Sequence, residues 1–202
     1  MEIVVASHNP GKVAELKKLL EHLSVTVFSL DDFDNIPEVA EDEATYEKNA
    51  IKKARAIYEA TGKIALADDS GLEVDALQGD PGVRSARFGG EGLTDHERNM
   101  KLLEQLREVP DDDRGATFQC RLAIVGPKGL EKVVSGSCRG TIIQSPRGGS
   151  GFGYDPIFLP FEYSHTFAEL SPEIKNKISH RGRALEKAAL FLDGYLYSRM
   201  QK

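Results

Sequence analysis

The chain has 202 residues, of which 40% are hydrophobic and 29% are charged. This is enough apolar material for one sizeable core, so we expect a single domain over residues 1–202, at most divided into two lobes. The 26 basic and 32 acidic residues give a formal charge of -6, which excludes nucleic-acid binding through overall charge. No apolar run is long enough to cross a bilayer and no basic region precedes one at the N-terminus, so a cytoplasmic protein that binds no membrane is expected.

The first third of the chain alternates strand and helix patterns. Residues 2–6 predict a buried strand, and a helix follows on the spacing of Val13, Leu16, Leu19, Leu20 and Leu23. Residues 45–61 predict a second helix, stopped by Gly62, with one side formed by Tyr46, Asn49, Ala50, Ala54 and Ile57. The run from Ile64 to Ala67 predicts a second strand, and the alternation is typical of an α/β domain.

Three further helices are predicted by their capping residues and periodicity. Thr94 and Glu97 have the spacing of a capping box ahead of an apolar helical pattern. Ser171 followed by Pro172 predicts a helix start, because serine caps free amides and proline fits the first helical position. Residues 182–199 predict a closing helix.

Residues 116–143 differ from the rest of the chain and predict a β-hairpin. Two extended runs, "ATFQCRLAIVG" and "LEKVVSGSCRGTII", flank the turn "PKG". The sheet therefore cannot be wholly parallel. Cys120 and Cys138 lie in these runs without CxxC spacing, and we interpret them as reduced thiols on neighbouring strands.

The stretch "ASHNPGK", residues 6–12, joins the first strand to the first helix. Asn9 and Pro10 predict a capped helix start. Gly11 lets a ligand approach the backbone and Lys12 adds a cation at a helix N-terminus, which favours an anion such as phosphate. The stretch is not a Walker A motif, because Val13 stands where Ser or Thr should bind a metal. Both a plain capped turn and a phosphate site fit these residues.

Acidic residues occur at two places in the first half of the chain. Asp68 and Asp69 follow the apolar run of the second strand, which predicts that they lie just beyond its end. Adjacent carboxylates repel each other unless a cation or hydrogen bonds offset them, and Mg²⁺ with phosphate oxygens is the usual solution. A turn capped by one of the two side chains is the alternative. Glu41 to Glu43, ahead of the second helix, either complete a metal site or form a solvated helix start.

The stretch "GGSGFGYDPIF", residues 148–158, combines glycines, aromatics and an acid. Glycines allow a close-fitting loop, Phe152 or Tyr154 offers a flat face to a heterocycle, and Asp155 offers an acceptor. A structural hairpin loop would not need this density of aromatic residues. We therefore interpret the stretch as a base-binding loop.

The stretch "EIKNKISHRGRALEKAALFL" places five basic residues around the predicted start of the last helix: Lys175, Lys177, His180, Arg181 and Arg183. Cations at a helix N-terminus oppose the helix dipole, so a compensating ligand or carboxylate is expected. Ser179, as the capping residue, explains the helix start but not the charges. Surface basicity is the alternative reading.

Four motifs in chain order identify a resemblance that covers nearly the whole chain. "SHNPGK", "ADDSGL", "GFGYDPIF" and "SHRGRAL" together closely resemble the inosine triphosphate pyrophosphatase family. The resemblance implies an elongated, mixed-sheet α/β fold whose two lobes flank a central active-site cleft. It also implies a homodimer that hydrolyses ITP, dITP and XTP to the monophosphate and pyrophosphate with Mg²⁺ as cofactor.

The resemblance also assigns roles to individual residues. Asp69 would be the proton acceptor and a metal ligand, and Glu41 is the best match for the second ligand, with Glu43 close by. Ser7 through Lys12 would bind the triphosphate: Ser7, His8, Asn9, Pro10, Gly11 and Lys12. The nucleotide pocket would be lined by Ser70, Phe152, Gly153, Tyr154, Asp155, Lys175, His180 and Arg181.

Two other functions fit the same motifs. The first is a pyrophosphatase for another altered nucleotide, such as a modified pyrimidine. The second is a catalytically silent nucleotide-binding module. The acidic residues argue against the second, because a binder has no need to hold a metal and a water.

Overall fold

The computed structural model describes residues 1–7, 10–22 and 25–200. The side chains of six residues within these ranges are also outside the described part: Pro10, Gly11, Lys12, Glu15, Arg199 and Met200. Over the described ranges the chain forms one six-stranded sheet and five α-helices. The mixed α/β class predicted from the sequence is confirmed.

The sheet combines parallel and antiparallel pairs. Its strands are β1 (Glu2–Val5), β2 (Thr26–Phe28), β3 (Ile64–Val74), β4 (Gly115–Gly126), β5 (Leu130–Ile142) and β6 (Phe158–Pro160), in the order β2-β1-β3-β4-β5-β6. β1 pairs in parallel with β2 and β3, whereas β5 and β6 are antiparallel. Three residues connect the neighbours β4 and β5, which only an antiparallel hairpin allows.

The five α-helices are α1 (Pro10–Leu19), α2 (Tyr46–Thr61), α3 (Asp95–Gln105), α4 (Pro172–Ile178) and α5 (His180–Met200). The predicted stop of α2 and the predicted caps of α3 and α4 are present. The Thr45 side chain accepts from the Lys48 N–H, and Gly62 ends α2 in the left-handed region with φ of 66°. Thr94 and Glu97 form the capping box of α3, and Ser171 caps α4 ahead of Pro172. Pro10 begins α1 as predicted, while its predicted cap Asn9 lies outside the described residues.

The chain divides into two compact units. The first unit comprises Met1–Asp69, Cys120–Ser135 and Arg183–Lys202, and the second comprises Ser70–Gln119 and Gly136–Gly182. β3, β4 and β5 each have residues in both units. The arrangement of two lobes around a cleft, and their treatment as one domain, stay predictions.

The core of the first unit lies on both faces of β1. Successive residues of a strand point to opposite faces, and accordingly Ile3 and Val5 belong to one apolar cluster while Val4 belongs to another. The first cluster includes Leu16, Leu66, Ile124 and Leu192. The second includes Ala50, Ala54 and Ile57 from α2. β1 is therefore a central strand covered on both sides, as its continuous apolar run predicts.

The core of the second unit is rich in aromatic rings. Phe118 lies 4.7 Å from Phe158 and 5.8 Å from Phe167 between ring centroids. Leu72, Leu102 and other apolar residues complete this cluster. Offset and edge-to-face ring pairs of this kind add to the stability gained from area burial.

Two sequence predictions about element boundaries are wrong. The second predicted strand does not end at Ala67, because β3 continues to Val74 and carries Asp68 and Asp69 within it. Gly71 is extended backbone in this strand and not a turn. Lys175 and Lys177 do not lie at the start of the last helix but in the last turn of α4, where the dipole favours cations.

The cysteines agree with the expectation from the sequence. Cys120 and Cys138 are buried thiols that are not joined in a disulfide, and they lie on the neighbouring strands β4 and β5. Across the described residues no helix combines the length and apolarity that a bilayer crossing requires.

Leu66→Ala is expected to lower the free energy of unfolding by about 2 to 5 kcal/mol. Leu66 is 1% exposed in the first-unit core, and truncation removes its packing and leaves a cavity. Urea unfolding followed by circular dichroism measures the change. The control is Leu190→Ala, at a leucine that is 70% exposed, where a change within about 0.5 kcal/mol is expected. Equal losses in the two variants would contradict the assignment of the core.

Candidate active site

Asp69 is a buried carboxylate that a neighbouring helix holds in place. Its side chain is 7% exposed, and its Oδ2 accepts a hydrogen bond of 2.9 Å from Asn49 Nδ2. Asn49 lies on α2, is 1% exposed, and its own Oδ1 accepts from the Glu43 N–H at 3.0 Å. The Asn49 amide therefore joins Asp69 to the backbone of the acidic loop that contains Glu41 and Glu43.

Lys53 makes a second connection between the same segments. Its Nζ contacts the Glu41 carboxylate and donates to the Asp68 carbonyl at 2.6 Å. The Lys53 side chain is only 17% exposed. Asn49 and Lys53 are four residues apart and so lie on one face of α2. Together they connect the acidic loop to the acidic segment of β3.

Carboxylate oxygens of the kind that ligate metals are thus concentrated in one part of the first unit. Asp69 and the Glu41 carboxylate each belong to a hydrogen-bonded network that includes α2. Among the residues the structure describes, no three His, Cys, Asp or Glu side chains form a ready-made metal cage. Mg²⁺ usually needs only one or two carboxylates, because water and substrate phosphates complete its coordination.

The predicted phosphate loop is described only at its two ends. Ser7 is 9% exposed, and its carbonyl accepts from the Leu30 N–H at 3.5 Å. His8 and Asn9 lie outside the described residues. The backbone of Pro10, Gly11 and Lys12 forms the first turn of α1, and their side chains are outside the described part. Ser70 follows Asp69 in β3 and is half-buried.

Asp155, in the second unit, is a buried carboxylate that is paired with a lysine. It is 3% exposed, and its Oδ2 accepts from Lys175 Nζ at 2.6 Å and from the Phe152 N–H at 2.8 Å. Burial raises the pKa of Asp155, and the Lys175 charge acts in the opposite direction. A Cβ on Gly151 would lie 2.1 Å from the same Oδ2, so glycine is required there. Lys175 thus has a carboxylate partner, one of the two kinds of compensating group expected from the sequence for the basic cluster.

The two aromatic residues of the glycine-rich loop have different environments. The Phe152 ring is 53% exposed, with Lys175 Nζ 5.0 Å and Arg181 Cζ 5.8 Å from its centroid. Tyr154 is buried, and its hydroxyl donates to the Ser85 carbonyl at 2.9 Å. Burial also raises the pKa of Tyr154. More than half of the Phe152 surface is therefore exposed, whereas Tyr154 anchors the loop to the second-unit core.

Gly153 lies between these two residues and is held by α3. Its N–H donates to Asp95 Oδ2 at 2.6 Å. Its carbonyl accepts from Asn99 Nδ2 at 3.1 Å. The loop backbone is therefore fixed on both sides of this residue.

His180 begins α5 and is packed against the second-unit core. Its ring stacks on Phe118, with centroids 4.6 Å apart and an interplanar angle of 7°, and the residue is 9% exposed. Ser179 caps the helix by accepting from the Gly182 N–H at 3.0 Å, as predicted. Arg181 is half-buried, which places one cation of the basic cluster beside the Phe152 ring.

The structure therefore brings together Phe152, Lys175 and Arg181 in the second unit. It connects Asp69 with Glu41 and Glu43 in the first. Four residues that contact this machinery were not predicted to take part in it: Asn49, Lys53, Asp95 and Asn99. Only Asn49 gave a sequence signal, since an amide on an otherwise apolar helix face must have a buried partner.

The family model described as the Ham1 family matches residues 3–191. The chain belongs to the Ham1 family. Similar proteins include a dITP/XTP pyrophosphatase of Desulforamulus reducens, 53% identical over 96% of each chain. Another is the dITP/XTP pyrophosphatase of Geobacter sulfurreducens, 51% identical over 91% of this chain and 92% of the relative. The family resemblance identified from the four motifs is confirmed.

Solved structures of similar proteins share the fold. A HAM1 protein from Coxiella burnetii superposes with a TM-score of 0.88 at 43% identity, covering 96% of this chain and 99% of the other. A nucleoside-triphosphatase, or dITP/XTP pyrophosphatase, from Mycobacterium abscessus superposes with a TM-score of 0.77 at 50% identity, covering 94% and 97%. The architecture described above is therefore that of the Ham1 family.

Lys175→Met is expected to destabilise the fold by about 3 kcal/mol at pH 7, because it leaves the buried Asp155 carboxylate without its cation. Burial already places the folded pKa of Asp155 above its unfolded value, and losing Lys175 raises it further. The folded state then binds a proton more readily than the unfolded chain. The lost stability should therefore return as the pH falls toward about 4, the unfolded pKa of Asp.

Urea unfolding of Lys175→Met at pH 7 and pH 5 measures this dependence. Lys177→Met is the matched control, because Lys177 lies in the same helical turn and is exposed. A pH-independent loss in Lys175→Met, or an equal loss in the control, would contradict the role of the ion pair.

Proposed function

We propose that this protein hydrolyses ITP, dITP and XTP to the nucleoside monophosphate and pyrophosphate, and so removes non-standard purine nucleotides from the pool. Its relatives at about half identity carry the name dITP/XTP pyrophosphatase. The observation that carries the proposal is the buried Asp69 carboxylate, oriented by Asn49 at 2.9 Å. A protein that only binds nucleotides has no use for a carboxylate held in this way.

Asp69 is proposed as the proton acceptor for the attacking water. Cleavage between the α and β phosphates requires a water in line with the pyrophosphate leaving group, and a positioned carboxylate accepts its proton. Because Asn49 engages Asp69 Oδ2, the carboxylate has one orientation rather than several. Orientation of this kind lowers the entropy lost in reaching the transition state.

Mg²⁺ is the proposed cofactor, with Asp69 and Glu41 as its protein ligands. Both are hard oxygen donors, the type that Mg²⁺ prefers. Lys53 contacts Glu41 and also bonds to β3 one residue before Asp69, which supports Glu41 over Glu43. When bound, the metal would supply charge stabilisation on the phosphate oxygens.

The opening loop is proposed to bind the triphosphate. Free amides at the start of α1, together with Gly11 and Lys12, provide the type of site that binds phosphate. Ser70, next to Asp69, is proposed to contribute a hydroxyl to the substrate. The proposed contacts of Ser7, His8, Asn9 and Pro10 rest on the family resemblance.

Phe152 is proposed to stack on the purine, with donors from His180 and Arg181 directed at its 6-oxo group. Adenine carries a 6-amino group, so donor would face donor and ATP would be rejected. Guanine shares the 6-oxo group and is proposed to be rejected through its 2-amino group, which would be left unpaired. Gly153, Tyr154, Asp155 and Lys175 are proposed to shape this part of the pocket, where the Lys175 charge is offset by Asp155.

A homodimer is also proposed, on the family resemblance alone.

The runner-up function is a pyrophosphatase for another altered nucleotide, which would use the same Asp69 chemistry with a different base.

A panel of triphosphates tests the substrate class. With Mg²⁺ present, kcat/KM for ITP, dITP and XTP is expected to exceed that for GTP and ATP by at least about tenfold, since unpaired polar groups in a base pocket carry such discrimination. The assay measures pyrophosphate and monophosphate separately. Equal kcat/KM for GTP and ITP would refute the selectivity, and release of orthophosphate would refute cleavage at the α–β bond.

Asp69→Asn is expected to abolish pyrophosphate release, because the amide cannot accept the proton of the attacking water. Loss of at least about 100-fold in kcat is expected with a folded protein, checked by circular dichroism. Asp193→Asn is the control, since it removes an equal charge from an exposed position on α5 and should leave kcat unchanged. Full activity in Asp69→Asn would refute the assigned role.

A further inference from the structure

Both peptide groups that flank Phe152 are hydrogen bonded to carboxylates. The Phe152 N–H donates to Asp155 Oδ2 at 2.8 Å. The Gly153 N–H, in the following peptide, donates to Asp95 Oδ2 at 2.6 Å. Because each peptide is planar, only the two backbone dihedrals of Phe152 lie between two anchored planes.

Asn99 adds a third anchor from the same helix as Asp95. Its Nδ2 donates to the Gly153 carbonyl at 3.1 Å, and it is 2% exposed. Asp95 and Asn99 are four residues apart on α3 and so share a face. The first turns of α3 thus hold the N–H and the carbonyl of Gly153, which itself has a φ of 59°.

An exposed aromatic ring does not need this support for stability. Phe152 is 53% exposed, and a surface ring contributes little to a core. Anchoring does matter for a ring that binds a ligand, because a preorganised ring loses less conformational freedom on binding. Asp95 is also the first residue of α3, where the helix dipole stabilises a carboxylate. That role does not account for a bond to a loop 58 residues away.

We propose that Asp95 and Asn99 are positioning residues that set the place of the Phe152 ring, and through it the affinity for the purine base. The inference rests on the proposed function, in which Phe152 stacks on that base. Neither residue touches the reacting phosphates in this scheme. Their loss should therefore weaken substrate binding and leave the chemical step intact.

Asp95→Ala is the main test, because Asp95 is exposed and its truncation leaves the core unchanged. KM for ITP is expected to rise about 5- to 10-fold with kcat within about twofold, as for loss of uniform binding through a charge-assisted hydrogen bond. Hydrogen exchange of the amides in residues 148–155 should become faster. Asp95→Asn retains an acceptor oxygen for the Gly153 N–H and should restore KM to within about twofold of wild type.

Glu97→Ala is the matched control for helix stability. Glu97 completes the capping box of α3 with Thr94, so its loss weakens the same helix end without removing the bonds to Gly153. KM should then stay at the wild-type value. A KM increase in Glu97→Ala equal to that in Asp95→Ala would show that both act through the helix, and would overturn the inference.

Asn99→Ala tests the second anchor and should raise KM in the same direction. If this buried substitution prevents folding, Asp95→Ala and its rescue decide the matter. A wild-type KM in Asp95→Ala, measured in an enzyme that cleaves ITP, would overturn only the inference. A wild-type protein that releases no pyrophosphate from ITP, dITP or XTP would overturn the proposed function and the inference with it.

Discussion

A buried carboxylate must replace the water that it loses, because an unpaired charge in the interior costs several kcal/mol. Each unit of this protein contains such a group, and both groups accept hydrogen bonds from neighbouring elements. Asp69 accepts from the neutral amide of Asn49, whereas Asp155 accepts from the charged Lys175 and from a backbone amide. These hydrogen bonds hold the segments around each of the two carboxylates in place.

The difference between the two carboxylates matters for chemistry. A carboxylate paired with a lysine has its charge offset and serves to hold its neighbours, which for Asp155 are Lys175 and the Phe152 backbone. Asn49 donates to one oxygen of Asp69 and so orients the carboxylate, which suits a group proposed to take a proton. In the sequence each of the two is an acid close to a glycine, and the pairing of Asp155 with Lys175 is visible only in the structure.

Local patterns in the sequence predicted most elements of the fold. The capping residues Thr94 and Ser171 and the stop at Gly62 act within one helical turn, so their effect can be read from neighbouring residues. The length of β3 could not be predicted in this way. Its acids and Gly71 are typical of a turn, but the strand continues through them, and Asn49, twenty residues earlier in the chain, donates to the buried Asp69.

The candidate site was predicted to a similar extent. Phe152 and Lys175 were identified as a base-binding group and a cation, and the structure places Lys175 Nζ 5.0 Å from the centroid of the Phe152 ring. The different environment of Tyr154, and the anchoring of Gly153 by Asp95 and Asn99, depend on contacts across more than fifty residues. No spacing rule covers such contacts, because they arise only when separate elements pack together.

The contact of Lys53 with Glu41 has a consequence for how a substrate approaches. A nucleoside triphosphate is a polyanion, and uncompensated acidic side chains would repel it before any metal contact forms. Lys53 offsets the charge of the Glu41 carboxylate that it contacts. The same ammonium group donates to the Asp68 carbonyl on β3. The acidic loop can therefore stay close to β3 between turnovers, so that its assembly is a property of the fold rather than of the bound substrate.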